Sequence, residues 1–366
     1  MSAFPETLDS AGTGDPKVAR AGELVLEVSG LEVRYGSGPR VLRALRGVDL
    51  DVRRHGVLGL AGESGSGKST LAYAVTRLLR PPGEVTSGRV TFFDQSGTPT
   101  DVLALSEEEL RRWRWEHVSI VFQAAMNALN PVSRLRHQIL DVLEAHRPLI
   151  SPSERASRAE ALMALVDLPT NRLESYPHQL SGGQRQRAMI AMAMALDPEC
   201  VILDEPTTAL DVVVQREILS RLHDLQEQLG FATVFITHDL SLLLEIADTI
   251  AVFYAGKVVE QAPAERILAT PLHPYTRGLL RSFPSLVGER KELVGIPGSP
   301  PDLRATPKGC AFHPRCPLAA DVCRTETPVL EPVGPASRVA CFRWAELADS
   351  PAGAGAAGPL GLSSQS

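Results

Sequence analysis

Gly62-Glu63-Ser64-Gly65-Ser66-Gly67-Lys68-Ser69 is the stretch on which the fold turns. Its glycines let backbone N–H groups close around an anion, and a helix beginning just after it presents its positive end. Lys68 can reach the β and γ phosphates of a nucleotide, and the Ser69 hydroxyl can ligate Mg²⁺. That reading requires a strand before the loop and a helix behind it, and both patterns are present. Residues 57–61 form a short apolar run that predicts a strand. Residues 69–79 predict a helix, with Leu71, Val75, Leu78 and Leu79 at helical spacing.

Further along, Val201-Ile202-Leu203-Asp204-Glu205 is an apolar strand ending in two carboxylates. Beside a phosphate loop, Asp204 is placed to hold Mg²⁺ through water, and Glu205 to polarise the water that attacks the γ phosphate. Residues 233–236 read as another buried strand. Residues 213–229 read as an amphipathic helix with one stripe of Ile218, Leu222, Leu225 and Leu229. From Leu24 onward, strand-like runs alternate with helical patterns, the order of an α/β domain with a largely parallel sheet. The section at about 131–180 is Arg-rich, helical in pattern and free of strand signals, which predicts a helical subdomain inserted in that core. After about Pro263 prolines and cysteines gather, and a small loop-rich region is expected there. Residues 1–22 and 349–366 are expected to be disordered tails.

The whole chain has 366 residues, 44% hydrophobic and 22% charged, with a formal net charge of −6. Nucleic-acid binders displace phosphate counterions with a basic excess, which is missing here, so no nucleic-acid partner is expected. No run approaches the roughly 20 apolar residues of a membrane span. The longest candidate, 188–196, is one short helix. The N-terminus lacks the charged start and apolar centre of a secretory signal, so a cytoplasmic location is expected.

Leu180-Ser181-Gly182-Gly183-Gln184 resembles the signature that separates ATP-binding-cassette proteins from other phosphate-loop ATPases, and it precedes the acidic strand as it does in that family. The other family elements follow in order over about residues 24–263. The resemblance implies a P-loop (RecA-like) ATP-binding-cassette domain over 23–265 and an active ATPase. Gly62, Ser64, Gly65, Gly67, Lys68, Ser69 and Thr70 would contact the nucleotide, and Tyr35 would stack on adenine. Gln123, in Val121-Phe122-Gln123, matches the glutamine that contacts the metal and attacking water. His238, in Ile236-Thr237-His238-Asp239, matches the switch histidine near the γ phosphate. Ala209-Leu210-Asp211 matches the loop that crosses to a partner cassette. One copy of each motif implies a head-to-tail dimer, in which Ser181, Gly182, Gly183 and Gln184 close over the partner's ATP.

Finer features resemble the peptide and nickel importer branch of that family: Glu205-Pro206-Thr207-Thr208-Ala209-Leu210-Asp211-Val212, Asn130-Pro131, His273-Pro274-Tyr275-Thr276, and Gly309-Cys310-Ala311-Phe312-His313-Pro314-Arg315-Cys316-Pro317. Import of di- or oligopeptides is implied, with two membrane permease subunits, an extracytoplasmic substrate-binding protein and a second cassette as partners. This chain would then sit peripherally on the cytoplasmic face of the inner membrane. Nickel or another solute is an alternative cargo. A soluble cassette ATPase of translation or DNA repair is a second alternative, against which stands the lack of a coiled-coil insertion or a second cassette.

Five cysteines occur. Cys200 begins a buried strand and reads as core. Cys310, Cys316, Cys323 and Cys341, spaced C-x₅-C-x₆-C-x₁₇-C within the 266–348 region, suggest a metal staple, because a reducing cytoplasm disfavours disulfides. The spacing lacks the close C-x₂-C pairs of zinc ribbons, and the resemblance to importer subunits implies a 4Fe–4S cluster. Zinc, or no metal, remains an alternative. His313 lies close by and is read as structural.

Overall fold

The computed structural model describes residues 23–38, 41–123, 128–208, 210–282 and 295–348. The tails expected at 1–22 and 349–366, and Ala209 of the crossing loop, lie outside the described residues. A first sheet is built from β1 (Leu24–Tyr35), β2 (Leu42–Arg53), β4 (Gly83–Phe93) and β5 (Pro99–Asp101), antiparallel in the order β2-β1-β4-β5. The second contains β3 (Val57–Ala61), β6 (Val118–Val121), β7 (Cys200–Asp204), β8 (Ala232–Ile236), β9 (Thr249–Tyr254), β10 (Lys257–Pro263), β11 (Glu331–Gly334) and β12 (Ser337–Val339). Its order is β11-β12-β10-β9-β3-β8-β7-β6. The five strands from β9 to β6 are parallel, and β10, β12 and β11 continue the edge antiparallel. The predicted parallel sheet is therefore present, in an α/β fold. The antiparallel first sheet is an addition: β1 and β2 alternate buried and exposed residues, the pattern of strands with one solvated face.

The parallel part of the larger sheet is buried on both faces, which is why its strands read as largely continuous apolar runs rather than alternations. Successive side chains leave a strand on opposite sides. Cys200 and Ile202 of β7 accordingly enter one core with Leu58, Leu60 and Val234, beneath the antiparallel sheet. Val201 and Leu203 enter the other with Ala61 and Phe235, beneath the helices. One strand set thus organises two cores, and residues at the carboxyl ends of β3 and β7 are held at one common edge.

The helix after the phosphate loop spans Lys68–Val75, shorter than the predicted 69–79. Arg77 turns left-handed at φ 51°, and Leu78 N–H bonds the Tyr73 carbonyl while Arg77 N–H bonds that of Ala74. This pair of bonds is a Schellman stop, and it needs no glycine in the sequence to announce it. The helix expected at 213–229 spans Val212–Leu229 and buries Ile218, Leu222 and Leu225. Leu229 is 46% exposed, because Gly230 ends the helix in left-handed conformation and the last turn overhangs the core. Between β6 and β7 lie only helical elements among the described residues, chiefly Leu135–His146, Pro152–Leu165 and Gly182–Ala193. Ile139, Leu143, Leu162 and Met163 pack this section into the helix-side core.

The C-terminal residues are fastened to the same sheet. β12 pairs with β10 through Glu260–Val339 and Gln261–Arg338. Glu260, 2% exposed, accepts hydrogen bonds from the Leu272 and His273 N–H groups at 2.6 and 3.0 Å, where the helix Pro274–Ser282 begins. The two sheets are joined at the opposite side by Arg54. It donates to Glu199 at 2.9 Å and to the Phe93 carbonyl at 2.6 Å, while His117 meets the same Glu199 at 3.0 Å.

Candidate active site

The phosphate loop leaves β3 at Gly62, whose φ of 141° and surroundings both demand glycine: a Cβ there would lie 2.3 Å from the Phe253 carbonyl oxygen on β9. Ser64 and Gly65 are exposed at the rim, while Ser66, Gly67 and Lys68 are buried. Gly67 caps the Lys68–Val75 helix without any side-chain cap, so the helix N-terminus faces the loop with its backbone donors uncovered by a side chain. Lys68 Nζ donates to the carbonyls of Gly62 at 2.7 Å and Glu63 at 3.0 Å, and to Ser66 Oγ at 3.3 Å. Burial draws its pKa down to about 8, against the fields of Glu205, Asp204 and Glu63, which favour the ammonium. Thr70 is half-buried in the first turn of the helix.

Asp204, fully buried at the end of β7, accepts a hydrogen bond from Ser69 Oγ at 3.0 Å through Oδ1. Its Oδ2 has no partner. Burial lifts its carboxyl to about 6, opposed by the Ser69 bond and Lys68. A buried orphan carboxylate oxygen beside a serine hydroxyl suits a small hard cation, so these residues fit Mg²⁺.

Glu205 then turns out of the strand at φ 47°, an unusual conformation for a side-chain-bearing residue, anchored by its N–H to the Ile236 carbonyl at 2.9 Å. That turn directs the carboxylate into a ring of three side chains. Gln123 Nε2 and Thr208 Oγ1 both donate to Oε2 at 3.0 Å, and His238 Nδ1 lies 3.3 Å from Oε1. Gln123 is exposed and the His238 side chain is 62% exposed, so the ring opens to solvent. Lys68, Ser69, Gln123, Asp204, Glu205 and His238, scattered over the sequence, are thus gathered at one sheet edge. Thr208 was quoted in the sequence without a role and joins them here.

Other predicted residues stand apart. Ser181 caps the helix Gly182–Ala193, accepting from Gln184 N–H at 3.2 Å, while Gln184 Oε1 accepts from Ser181 N–H at 3.1 Å. This is a capping box, and the side-chain hydrogen bonds of this pair are to each other. Gly182 is half-exposed, and a Cβ on Gly183 would lie 2.6 Å from Val214 Cγ1, so Gly183 allows two helices to approach. Asp211 is exposed and caps Val212–Leu229 by accepting from Val214 N–H at 3.0 Å. Tyr35 ends β1, half-buried, paired with Leu42 and Gly83 in the antiparallel sheet.

Two residues that sequence reasoning missed reach the loop from the C-terminal side. Arg315 forms a two-pronged ion pair with Glu63, Nη1–Oε2 at 2.8 Å and Nη2–Oε1 at 3.0 Å. Tyr275 accepts at its hydroxyl from the Glu63 N–H at 2.9 Å. Both had been quoted inside family phrases, yet nothing in their spacing signals a contact with a glutamate more than two hundred residues away.

Cys310, Cys316, Cys323 and Cys341 are free thiols and line one small cavity. Burial raises the pKa of Cys310 and Cys316 and pushes Cys341 up to about 12. Among the described residues no group of three or more His, Cys, Asp or Glu side chains is arranged to hold a metal ion. The four cysteines expected as iron–sulfur ligands thus stand around one cavity as free thiols. Cys200 is buried at the start of β7, its thiol likewise pushed up to about 12, as expected of core. Among the described residues no helix is long and apolar enough to cross a membrane.

Residues 45–208 match the family model described as ABC transporter, and residues 259–323 that described as oligopeptide/dipeptide transporter, C-terminal region. The chain is 40% identical over 324 residues to the dipeptide transport ATP-binding protein DppD of Caldanaerobacter subterraneus subsp. tengcongensis, covering 88% of this chain and 98% of that protein. It is 39% identical to the oligopeptide transport ATP-binding protein OppD of Salmonella typhimurium, covering 93% and 99%. Among solved structures, the dimeric post-hydrolysis state of the ATP-binding cassette MJ0796 bound to ADP and Pi is 28% identical, with TM-score 0.57, over 65% of this chain and 98% of that one.

Proposed function

This chain belongs to the ATP-binding subunits of ABC transporters that carry the oligopeptide/dipeptide C-terminal region, and from that premise we propose that it hydrolyses ATP to drive uptake of di- or oligopeptides. It works as a peripheral subunit on the cytoplasmic face of the inner membrane. The observation that carries the reading is the Glu205 ring standing beside a complete phosphate loop: a carboxylate held by Gln123, Thr208 and His238 next to Lys68, Ser69 and Asp204.

The chemistry follows from those positions. Gly62, Ser64, Gly65, Gly67, Lys68, Ser69 and Thr70 receive the phosphates, and Tyr35 stacks on the adenine. Lys68 Nζ, which donates to the Gly62 and Glu63 carbonyls, transfers its donors to phosphate oxygens. Contact with polyanionic oxygens restores the ammonium that burial disfavours. Ser69, Asp204 and Gln123 would hold Mg²⁺, which when bound neutralises phosphate charge. Glu205 orients the attacking water and accepts its proton, and His238 senses the γ phosphate. Ser181, Gly182, Gly183, Gln184 and Asp211 serve the ATP of a partner cassette, since their own bonds stay local and the matched cassette structure is dimeric. On this reading 23–265 is the cassette, with its helical subdomain at about 131–180 touching the permeases, and 266–348 is the C-terminal region. A 4Fe–4S cluster would be held by Cys310, Cys316, Cys323 and Cys341, which line one cavity and would bind it as thiolates. Iron absent from anaerobically purified chain would remove that part of the reading alone.

The test of the whole is purification from the native membrane in mild detergent, followed by mass spectrometry. Two polytopic membrane proteins, a second cassette subunit and an associated peptide-binding protein are expected. Recovery of ribosomes or repair factors in their place would overturn the transport reading while leaving the ATPase standing.

A further inference from the structure

Glu63 stands inside the phosphate loop and carries a negative charge into a site that must accept a polyanion. Its carboxylate is close enough to act on Lys68, whose ammonium it favours. Left unpaired, it would repel incoming phosphates and compete with them for Lys68. The side chain is instead engaged from outside the cassette core. Arg315, 8% exposed, takes both carboxylate oxygens in a fork at 2.8 and 3.0 Å, the planar bidentate geometry that guanidinium supplies and lysine cannot. Arg315 is itself fixed: Nε donates to the Pro297 carbonyl at 2.8 Å, and its guanidinium lies 5.9 Å from the ring centres of both Tyr254 and Phe312. The backbone of Glu63 is held independently by Tyr275. Its carbonyl receives Lys68.

We propose that Arg315, a residue of the C-terminal region, is a positioning residue for ATP binding: it neutralises Glu63 and holds that carboxylate off the phosphate path, so that the loop accepts ATP at working affinity. The role is not catalytic, since Arg315 acts through Glu63. It rests on the reading of residues 62–69 as the nucleotide's phosphate site. It also gives the C-terminal region a part in the ATPase itself.

The test measures KM for ATP and kcat with the full chain in its membrane assembly, with thermal melting of each variant as a control for folding. Arg315→Gln frees the Glu63 charge and is expected to raise KM for ATP about tenfold while kcat changes less than about threefold. The double variant Arg315→Gln/Glu63→Gln removes the charge that Arg315 controls and is expected to return KM to within about threefold of wild type. Arg315→Lys keeps the charge without the fork and is expected to raise KM by a smaller factor, about threefold, which serves if Arg315→Gln does not fold. Unchanged KM in both single variants overturns the proposal. So does a double variant as impaired as Arg315→Gln, or a parallel fall of kcat and melting temperature with KM unchanged, either of which marks a purely structural contact. Lys68→Ala is measured alongside. If it leaves ATP binding intact, the phosphate-site reading fails and the proposal with it, whereas its loss of binding together with an unaffected Arg315→Gln sinks the proposal alone.

Discussion

Glu205 illustrates how much a single residue depends on backbone. Its left-handed φ is paid for by the strand pair around it, and the turn delivers the carboxylate to Gln123, Thr208 and His238 together. Glu205→Gln keeps the size and most hydrogen bonds but cannot accept a proton. Phosphate release should fall by at least about a hundredfold, with ATP binding retained, and substantial residual turnover would identify another base. The carboxylates, the lysine and the glycines of this site were legible because each is demanded by chemistry at fixed spacing from a strand or a helix. Thr208 was not, since a threonine in a loop satisfies many local roles. Arg315 was still less so: its partner is 252 residues away, and no periodicity connects them.

At the scale of elements, strands were easier to read than helix ends. β3 occupies the predicted 57–61 because a wholly buried strand must be apolar at every position, whereas the following helix stops early on a left-handed arginine that no composition rule marks. The antiparallel first sheet escaped because alternation over twelve residues, interrupted by bulges, blurs its own signal. Close packing of elements makes one prediction. A Cβ on Gly183 would press into Val214, so Gly183→Ala should cost about 1–3 kcal/mol in denaturant unfolding, and Val214→Ala in the same chain should recover part of it. The joint between β10 and the helix Pro274–Ser282 makes another. Burial raises Glu260 to about 7, so this group alone makes the protein more stable as pH falls from 7 towards 4.5, where the folded state binds the extra proton. Burial lowers His273 to about 3, and this group alone costs stability as pH falls below 6.5, where the unfolded state binds the extra proton. The two slopes oppose each other between about pH 6.5 and 4.5. Glu260→Gln removes the first, so its melting temperature should drop with acid in that window while the wild type stays flatter.

Across the whole molecule, stability depends on joints between layers that belong to distant parts of the chain. Arg54 links the ends of β2 and β4 to Glu199 before β7, with both side chains of the ion pair mostly buried. Arg54→Ala leaves Glu199 desolvated and should destabilise by about 3 kcal/mol, read from the shift of the unfolding midpoint at unchanged slope. A shift below about 1 kcal/mol would mean that His117 alone suffices as partner. The larger sheet has a further consequence, one of timing. β3 pairs on one side with β8 and on the other with β9, both made long after it. A ribosome that has just released Ser69 must add 135 residues to supply Asp204, and one that has released Glu63 must add 212 to reach Tyr275 and 252 to reach Arg315. At roughly 5–20 residues per second, the nascent loop waits on the order of ten seconds or more for its last partners. The growing chain therefore carries an ATP motif whose partners are still unmade, and the loop completes its contacts only after Arg315 has been added.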